Sequence, residues 1–561
     1  MPVTSFFAHG LEHFGHRPCL VTAQGEVVSY AALATLADRI ASELVPGRKL
    51  VFVEGRNTPS SIAAYLGCLR AGHVVHVIDP ERPDENLELA RIYRPHVLIQ
   101  CSDAGQQVVE LHCNPIDLHP ELVVLLSTSG STGSPKLVKL SYRNIQSNTE
   151  SIVQYLGLQS SDSAVTTLKF HYSYGMSVVN THLAVGASLV LTTQSLHEPG
   201  LLELCRTRGV TNLSGVPYHF EMLERMQAGL DTLGSLRLVT QAGGRLAPAL
   251  VRKYAVMGRS RGWKFFVMYG QTEASPRMSY LPPDLAEASP DAIGIPIPGG
   301  SMRIRGDDGQ MHQTPGVEGE LIYAGPNVMM GYALDWADLA SDEQLPHLVT
   351  GDLVIIDAQG LFHITGRKSR FVKPFGLRVN LDEVEAYLRS LGHVVAVVPA
   401  PGERIAVFWQ QSASFMPDLA TVLAAKYSLP RFGFEAVPLV ELPLLASGKF
   451  DYRRMATMAA DRSKPEPRQP VRRTPNTFIR TALQEFVEIL SGKGGSWQTL
   501  EDMFAFYFPR AELALDDSFM SLGGDSLLYV EMSVALEGYL GSLPNDWHVK
   551  SLKELKLLSL E

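Results

Sequence analysis

Cysteine is scarce in this 561-residue chain. The five, Cys19, Cys68, Cys101, Cys113 and Cys205, form no CxxC pair and match no common zinc spacing. A disulfide framework is not expected at this size and count, which points to a reducing compartment. Long apolar runs are also missing: none reaches the roughly 18 residues that a membrane span needs. The opening MPVTSFFAHGLEHFGHRP lacks the basic start and apolar core of a secretory signal. Basic charge is in deficit, with 49 Lys and Arg against 58 Asp and Glu, a net of -9. That balance disfavours a general binder of nucleic acid or of anionic membrane. The expectation is a cytoplasmic protein with no nucleic-acid partner and no membrane span.

What is present is ordinary globular material, 45% hydrophobic and 19% charged. At roughly 150 residues per domain the length suggests about three or four compact units. The charge is uneven. Thr477 to Glu561 holds 13 acids and 6 bases, net -7, whereas Asp461 to Asn476 holds 2 acids and 5 bases, net +3. The latter stretch, DRSKPEPRQPVRRTPN, has four prolines and no helical or strand period, so it reads as a linker. As a flexible coil it would span about 20–24 Å.

Ahead of the linker, strand and helix alternate. Tyr30, Leu33, Ala37, Ile40 and Leu44 form a helical stripe, and LVFVEG (Leu50 to Gly55) is a short buried strand. Thr58-Pro59 gives a cap with proline at the first helical position, and Gly72 closes that helix. The strands HVVHVID and HVLIQ follow, which predicts βαβ units and a parallel sheet. Further strands, LVVLL, LRLVT and KFFVMYG, leave through loops where ligands sit in open α/β sheets.

The loop after LVVLL is STSGSTGSPK: Ser127, Thr128, Ser129, Gly130, Ser131, Thr132, Gly133, and on to Lys136. Hydroxyls, close-approaching N–H groups and a lysine suit polyphosphate oxygens, although the loop is not a Walker A motif. It resembles the phosphate-binding signature of the adenylate-forming superfamily, which includes acyl- and aryl-CoA ligases and nonribosomal peptide synthetase adenylation domains. Other segments similar to that superfamily's follow in order: Ala242-Gly243-Gly244, Tyr269-Gly270-Gln271-Thr272-Glu273, GELIYAGPNVMMGY from Gly319, Thr350-Gly351-Asp352, Gly366-Arg367, and Ser447-Gly448-Lys449.

By position, the resemblance implies that Tyr269 stacks on adenine, Thr272 meets the α-phosphate and Glu273 holds Mg2+. It implies ribose contacts at Asp352 and Arg367, a hinge at Ser369 and a catalytic Lys449. A second resemblance, carried by LGGDSLLYVEM, is to the phosphopantetheine attachment region of carrier proteins, with Ser526 receiving the 4'-phosphopantetheine. Helices are expected at 478–490, 527–540 and 549–558. The aromatic run FAFYF (Phe504 to Phe508) lies in an unusually long connection and is expected to be core.

The fold expected is α/β: a large multi-layer N-terminal adenylation lobe over 1–368 and a small mobile α+β C-terminal lobe over 369–460. The linker 461–476 and an all-α four-helix-type carrier domain over 477–561 follow. The function expected is ATP-dependent activation of a carboxylic acid as acyl-AMP and transfer to the chain's own carrier, in secondary-metabolite or lipid assembly. Partners implied are a phosphopantetheinyl transferase and a downstream enzyme that accepts the acyl group. His171, Tyr174 and Gly175 line the expected substrate pocket. Amino-acid-activating relatives carry an aspartate where His171 stands, which favours an acyl or aryl acid. The alternatives are an acyl-CoA ligase using free CoA, an amino-acid-activating loading module, and a silent scaffold that presents Ser526.

Overall fold

The computed structural model describes residues 6–462, apart from 45–46, 112–113, 128–135, 195, 197, 227–228, 307, 344, 373, 375–378, 402–403, 411–418, 428–432 and 446–449, and residues 499–558, apart from 509–513, 520, 523–531, 533–534, 537–538, 541–543, 545–546 and 548–549. Packing divides the chain into two compact units, Met1–Lys464 and Pro465–Glu561.

In the first unit the helix signals act as the sequence predicts. Ser29 caps the helix Tyr30–Glu43 by accepting from the Ala32 N–H, and its stripe of Tyr30, Leu33, Ala37 and Ile40 is buried. Thr58 caps Pro59–Arg70 in the same way. The two helices touch at Gly67, where a Cβ would stand 2.8 Å from the Ala37 carbonyl oxygen.

Leu50–Glu54 pairs in parallel with Val74–Ile78 and Val97–Ser102, and Val74–Ile78 pairs in parallel with Leu122–Ser127. The expectation of a parallel sheet needs correcting at the edges. Gly105–Glu110 and Leu137–Ser141 return antiparallel, making a seven-stranded mixed sheet. Their connections are too short for a crossover, which takes a dozen or more residues.

The larger sheet has 14 strands. Asn212–Gly215, Leu238–Gln241 and Lys264–Tyr269 run parallel, with Leu238 opposite Lys264. Their carboxyl ends therefore emerge side by side. Beyond them the sheet turns antiparallel, through Ser279–Leu281 and Ala292–Pro296 to Phe362–Arg367 and Leu348–Ile356.

Residues 379–459 keep apolar clusters of their own. In Val395–Ala400, Val395 and Val397 face the helices Leu381–Ser390 and Leu419–Tyr427, while Ala396 and Val398 face Tyr452–Arg462. This is the period-two alternation of a strand covered on both sides.

The second unit, within its described residues, holds the helices Leu500–Tyr507 and Leu552–Leu558. Its core gathers Met503, Phe504, Phe508, Phe519, Trp547 and Leu552, so the two ends of FAFYF are core as expected. The expected helix at 478–490, all of 463–476 and most of the expected helix at 527–540 lie outside the described residues. No helix among the described residues is long and apolar enough to cross a membrane.

One buried ion pair supports the larger sheet where two of its interior strands, Ser163–Val165 and Leu238–Gln241, begin. Asp162 is 2% exposed and accepts from the Gln159 N–H at 2.7 Å and from Arg237 Nε at 2.7 Å. Burial opposes its charge, but the Arg237 and Gln159 donors outweigh it and hold the carboxyl below its ordinary range. Arg237→Ala should therefore cost about 2–4 kcal/mol, because a buried charge loses its partner. A lowered urea midpoint at neutral pH checks this.

Candidate active site

The strand ends described above converge on one carboxylate. Asp352 is 1% exposed and lies opposite Arg367 in the antiparallel register, with an ion pair of 2.7 Å from Arg367 Nε to Oδ1. Its Oδ2 accepts from the Tyr269 hydroxyl at 2.5 Å and from Gln271 Nε2 at 3.0 Å. Gln271 also donates to the Thr350 carbonyl at 3.0 Å. A carboxylate offers about four acceptor directions, so one remains on Oδ1. Burial, then the Asp352 charge, raises the Tyr269 phenol well above its ordinary value. The same carboxylate is the main reason that the Arg367 value is raised.

The backbone at this turn tolerates little change. A Cβ on Gly270 would stand 1.7 Å from the Pro276 carbonyl oxygen. Next door, Gly243 has φ +89°, and Gln241 Nε2 donates to the Gly244 carbonyl at 2.8 Å, bracing the Ala242–Gly244 turn.

Thr272 opens a helical turn, and its hydroxyl lies 3.4 Å from that of Ser173. Glu273 Oε1 accepts from the Tyr332 hydroxyl at 2.7 Å, and Lys136 Nζ lies 3.7 Å from the Tyr332 ring centroid. Tyr332 thus joins the exit of the Ser/Gly-rich loop to the acid of the Tyr269–Glu273 segment. Thr128 to Gly133 lie outside the described residues, as do Lys449 and Ser526.

Ser127, at the loop's entrance, brings in a residue not assigned from the sequence. His76 lies in the strand Val74–Ile78, 1% exposed, with Nδ1 2.8 Å from the Leu125 carbonyl oxygen and Nε2 3.4 Å from Ser127 Oγ. A carbonyl only accepts, so Nδ1 carries the proton and Nε2 accepts from Ser127. Burial lowers the His76 pKa to about 4 despite the Leu125 bond.

The three expected pocket residues sit on or beside the helix Ser173–Ala184. His171 Nε2 lies 3.4 Å from Asp79 Oδ2, and burial lowers its pKa although Asp79 pulls the other way. The Tyr174 hydroxyl is 2.8 Å from that of Thr240. Gly175 has a packing reason of its own, since a Cβ would stand 2.3 Å from the Lys169 carbonyl oxygen.

The Lys449 turn is bounded by residues that are described. Leu444 and Phe450 form an antiparallel bridge, and the Asp451 N–H donates to the Pro443 carbonyl at 2.8 Å. The Arg82 value is raised mainly by Glu85, with the Asp79 and Asp451 charges adding to it. At the crossover, Lys368 Nζ reaches Glu320 at 3.2 Å, and Arg370 Nε reaches Asp382 at 2.6 Å. The side chain of Ser369, between them, is outside the description.

Among the described residues, no group of three or more His, Cys, Asp and Glu side chains could cage a metal. A single carboxylate suits Mg2+ when phosphate oxygens supply the other ligands. Glu273 fits that role, because its other oxygen, Oε2, carries no hydrogen bond among the described residues.

Comparison with known proteins bears on this geometry. Residues 92–333 match the family model described as AMP-binding enzyme, and residues 500–547 match that of the phosphopantetheine attachment site. The chain carries an AMP-binding adenylation domain followed by a phosphopantetheine attachment site. The phenyloxazoline synthase MbtB of Mycobacterium tuberculosis is 27% identical over 94% of this chain. This chain spans only 38% of that protein's length. The D-alanine–D-alanyl carrier protein ligase of Lactiplantibacillus plantarum is 26% identical over 77% of this chain and 94% of its own. Among solved structures, the O-succinylbenzoate coenzyme A synthetase of Bacillus subtilis, in complex with ATP and magnesium ion, superposes with a TM-score of 0.66. That match covers 81% of this chain and 99% of the synthetase at 21% identity, and so shows the fold.

Neutral His76 makes the adenylation domain acid-sensitive. Its folded value lies below the ordinary 6.5, so its contribution to stability is complete above that pH and is lost as pH falls toward about 4. His76→Gln should flatten the fall of the urea midpoint across that window. An unchanged slope would show that His76 is not the titrating group.

Proposed function

We propose that this chain activates a carboxylic acid with ATP as acyl-AMP and passes the acyl group to a thiol on its own carrier domain. The observation that supports this most is the convergence of Tyr269, Gln271 and Arg367 on buried Asp352. With Asp352 they come from three separate motifs and leave one oriented acceptor for a ribose hydroxyl. Tyr269 offers the adenine a ring fixed by its hydroxyl. Ser127 and Lys136 bracket a loop for the phosphates, and the Ala242–Gly244 turn borders the base.

In the first half-reaction the substrate carboxylate attacks the α-phosphate and pyrophosphate leaves. Thr272 orients the reacting phosphate, and Lys449 stabilises the charge that builds on the oxygens between the reactants. Bound at Glu273, Mg2+ would supply Lewis-acid neutralisation of the phosphate oxygens. In the second half-reaction the thiol attacks the acyl carbonyl and AMP leaves. A phosphopantetheinyl transferase installs the arm on Ser526, and tethering keeps it at high effective concentration. The lobes are assigned as 1–368 and 369–460, with the linker 461–476 and the carrier 477–561. A downstream enzyme then takes the acyl group.

The acid is an acyl or aryl acid without an α-ammonium group, because His171 replaces the expected carboxylate and is held neutral by burial. A second reading, activation of an amino acid, is favoured by one observation: Asp79 stands 3.4 Å from His171 and could receive an ammonium group.

Lys449→Ala should lower ATP–pyrophosphate exchange by about 100-fold or more. Ser526→Ala should keep exchange while abolishing the acyl mass on the pantetheinylated protein, read by intact-protein mass spectrometry with an acid mixture. A Ser526→Ala protein that consumed acid and free CoA at full rate would replace self-loading by a CoA ligase. Added mass from an amino acid would favour the second reading.

A further inference from the structure

Arg277, four residues beyond Glu273, is 4% exposed, yet it takes part in no ion pair among the described residues. Its Nε has no hydrogen-bond acceptor. Its guanidinium lies 4.0 Å from the Tyr174 ring centroid, and Nη2 reaches Ser177 Oγ only at 3.4 Å. Arginine stays protonated in proteins, so this is a buried cation whose described neighbours are neutral. An aromatic face offsets only part of the cost of burying such a charge.

The same side chain lines a small cavity with Tyr174, Ser177, His182, Thr240 and Met268. His182 does not supply a second charge there, since burial lowers its pKa and its Nδ1 is bonded to the Val178 carbonyl. The cavity meets a second one, lined by Gly175, at Val178 and Ser214. Tyr174, which lines the first, follows Ser173, whose hydroxyl lies 3.4 Å from that of Thr272.

We infer that Arg277 is the counter-charge for a second carboxylate on the acyl substrate, so that the acid activated is a short dicarboxylic acid. This rests on the adenylation reading and narrows its substrate class. A guanidinium fork matches a carboxylate, which also fits a small cavity better than a phosphate does. The second carboxylate would accept from Arg277 Nε and a neighbouring Nη, the two prongs of the guanidinium fork, while the first reacts at Thr272.

Matched pairs test this: succinate against butyrate, and glutarate against valerate. In ATP–pyrophosphate exchange the diacid of at least one pair should exceed its monoacid in kcat/KM by about 100-fold or more, since a site built for a charged group rejects the analogue lacking it. Arg277→Gln should collapse that ratio, and Arg277→Lys should restore part of it. The wild-type ratio is informative even where a variant does not fold. Monoacids activated as well as, or better than, their diacids would overturn the assignment. Calorimetric binding of the same acids without ATP separates the two readings. Diacid binding with no exchange for any acid would sink adenylation and keep Arg277 as an anion site. Diacid binding no tighter than that of the monoacid would sink the Arg277 assignment alone.

Discussion

A buried carboxylate that needs donors around it is the constraint on which the site depends. Asp352 lies in the interior with Tyr269, Gln271 and Arg367 as its donors. Burying such a group is costly unless its lone pairs are met, so removing any donor leaves a deficit for the others to absorb. The parallel part of the large sheet delivers Tyr269 at the end of Lys264–Tyr269, and the antiparallel part delivers Asp352 and Arg367 face to face. The carboxylate adds a side-chain tie between these two parts, which backbone pairing through Ser279–Leu281 and Ala292–Pro296 already joins. A nucleotide would meet a polar surface that is already organised, with little reorganisation left for the reaction itself.

Tyr332 plays the corresponding part on the phosphate side. Its hydroxyl engages Glu273 and its ring carries Lys136. A cation on the ring face and an anion on the hydroxyl hold opposite charges near each other without letting them neutralise in a direct pair. Burial and the Glu273 charge raise the Tyr332 phenol, so it remains a donor at any working pH. Both charges stay available to a polyanion and its metal.

What could be read from the sequence was local or followed a family's order. The caps at Ser29 and Thr58 need only a few consecutive residues, and they hold. The motifs around Tyr269 and Asp352 were legible because each is a short run. What escaped depends on residues that meet only in space. His76 sits inside HVVHVID, which reads as a uniform buried strand, and nothing in that run points to Ser127 51 residues on. Gly175 was readable as room for a substrate, whereas the Lys169 carbonyl also excludes a side chain there. Arg277 looks like any arginine beyond a motif until its burial is known. The antiparallel sheet edges were missed because strand runs alone do not report pairing direction, although the short connections contained that information.

Ion pairs divide the crossover around Ser369 into two sides. Arg367 belongs to the large lobe through Asp352, and Lys368 does so through Glu320. Arg370 belongs to the small lobe, paired with Asp382 and with buried Glu385, which also takes the Val397 N–H at 2.8 Å and the Tyr452 hydroxyl at 2.9 Å. These ties join Arg370 to the helix Leu381–Ser390, the strand Val395–Ala400 and the helix Tyr452–Arg462. Between Lys368 and Arg370 a single residue is left over, Ser369. It is the hinge that the family resemblance implies, and it lies between these two sets of ties. As a hinge it would need no charge of its own, because Lys368 and Arg370 on either side already have their partners.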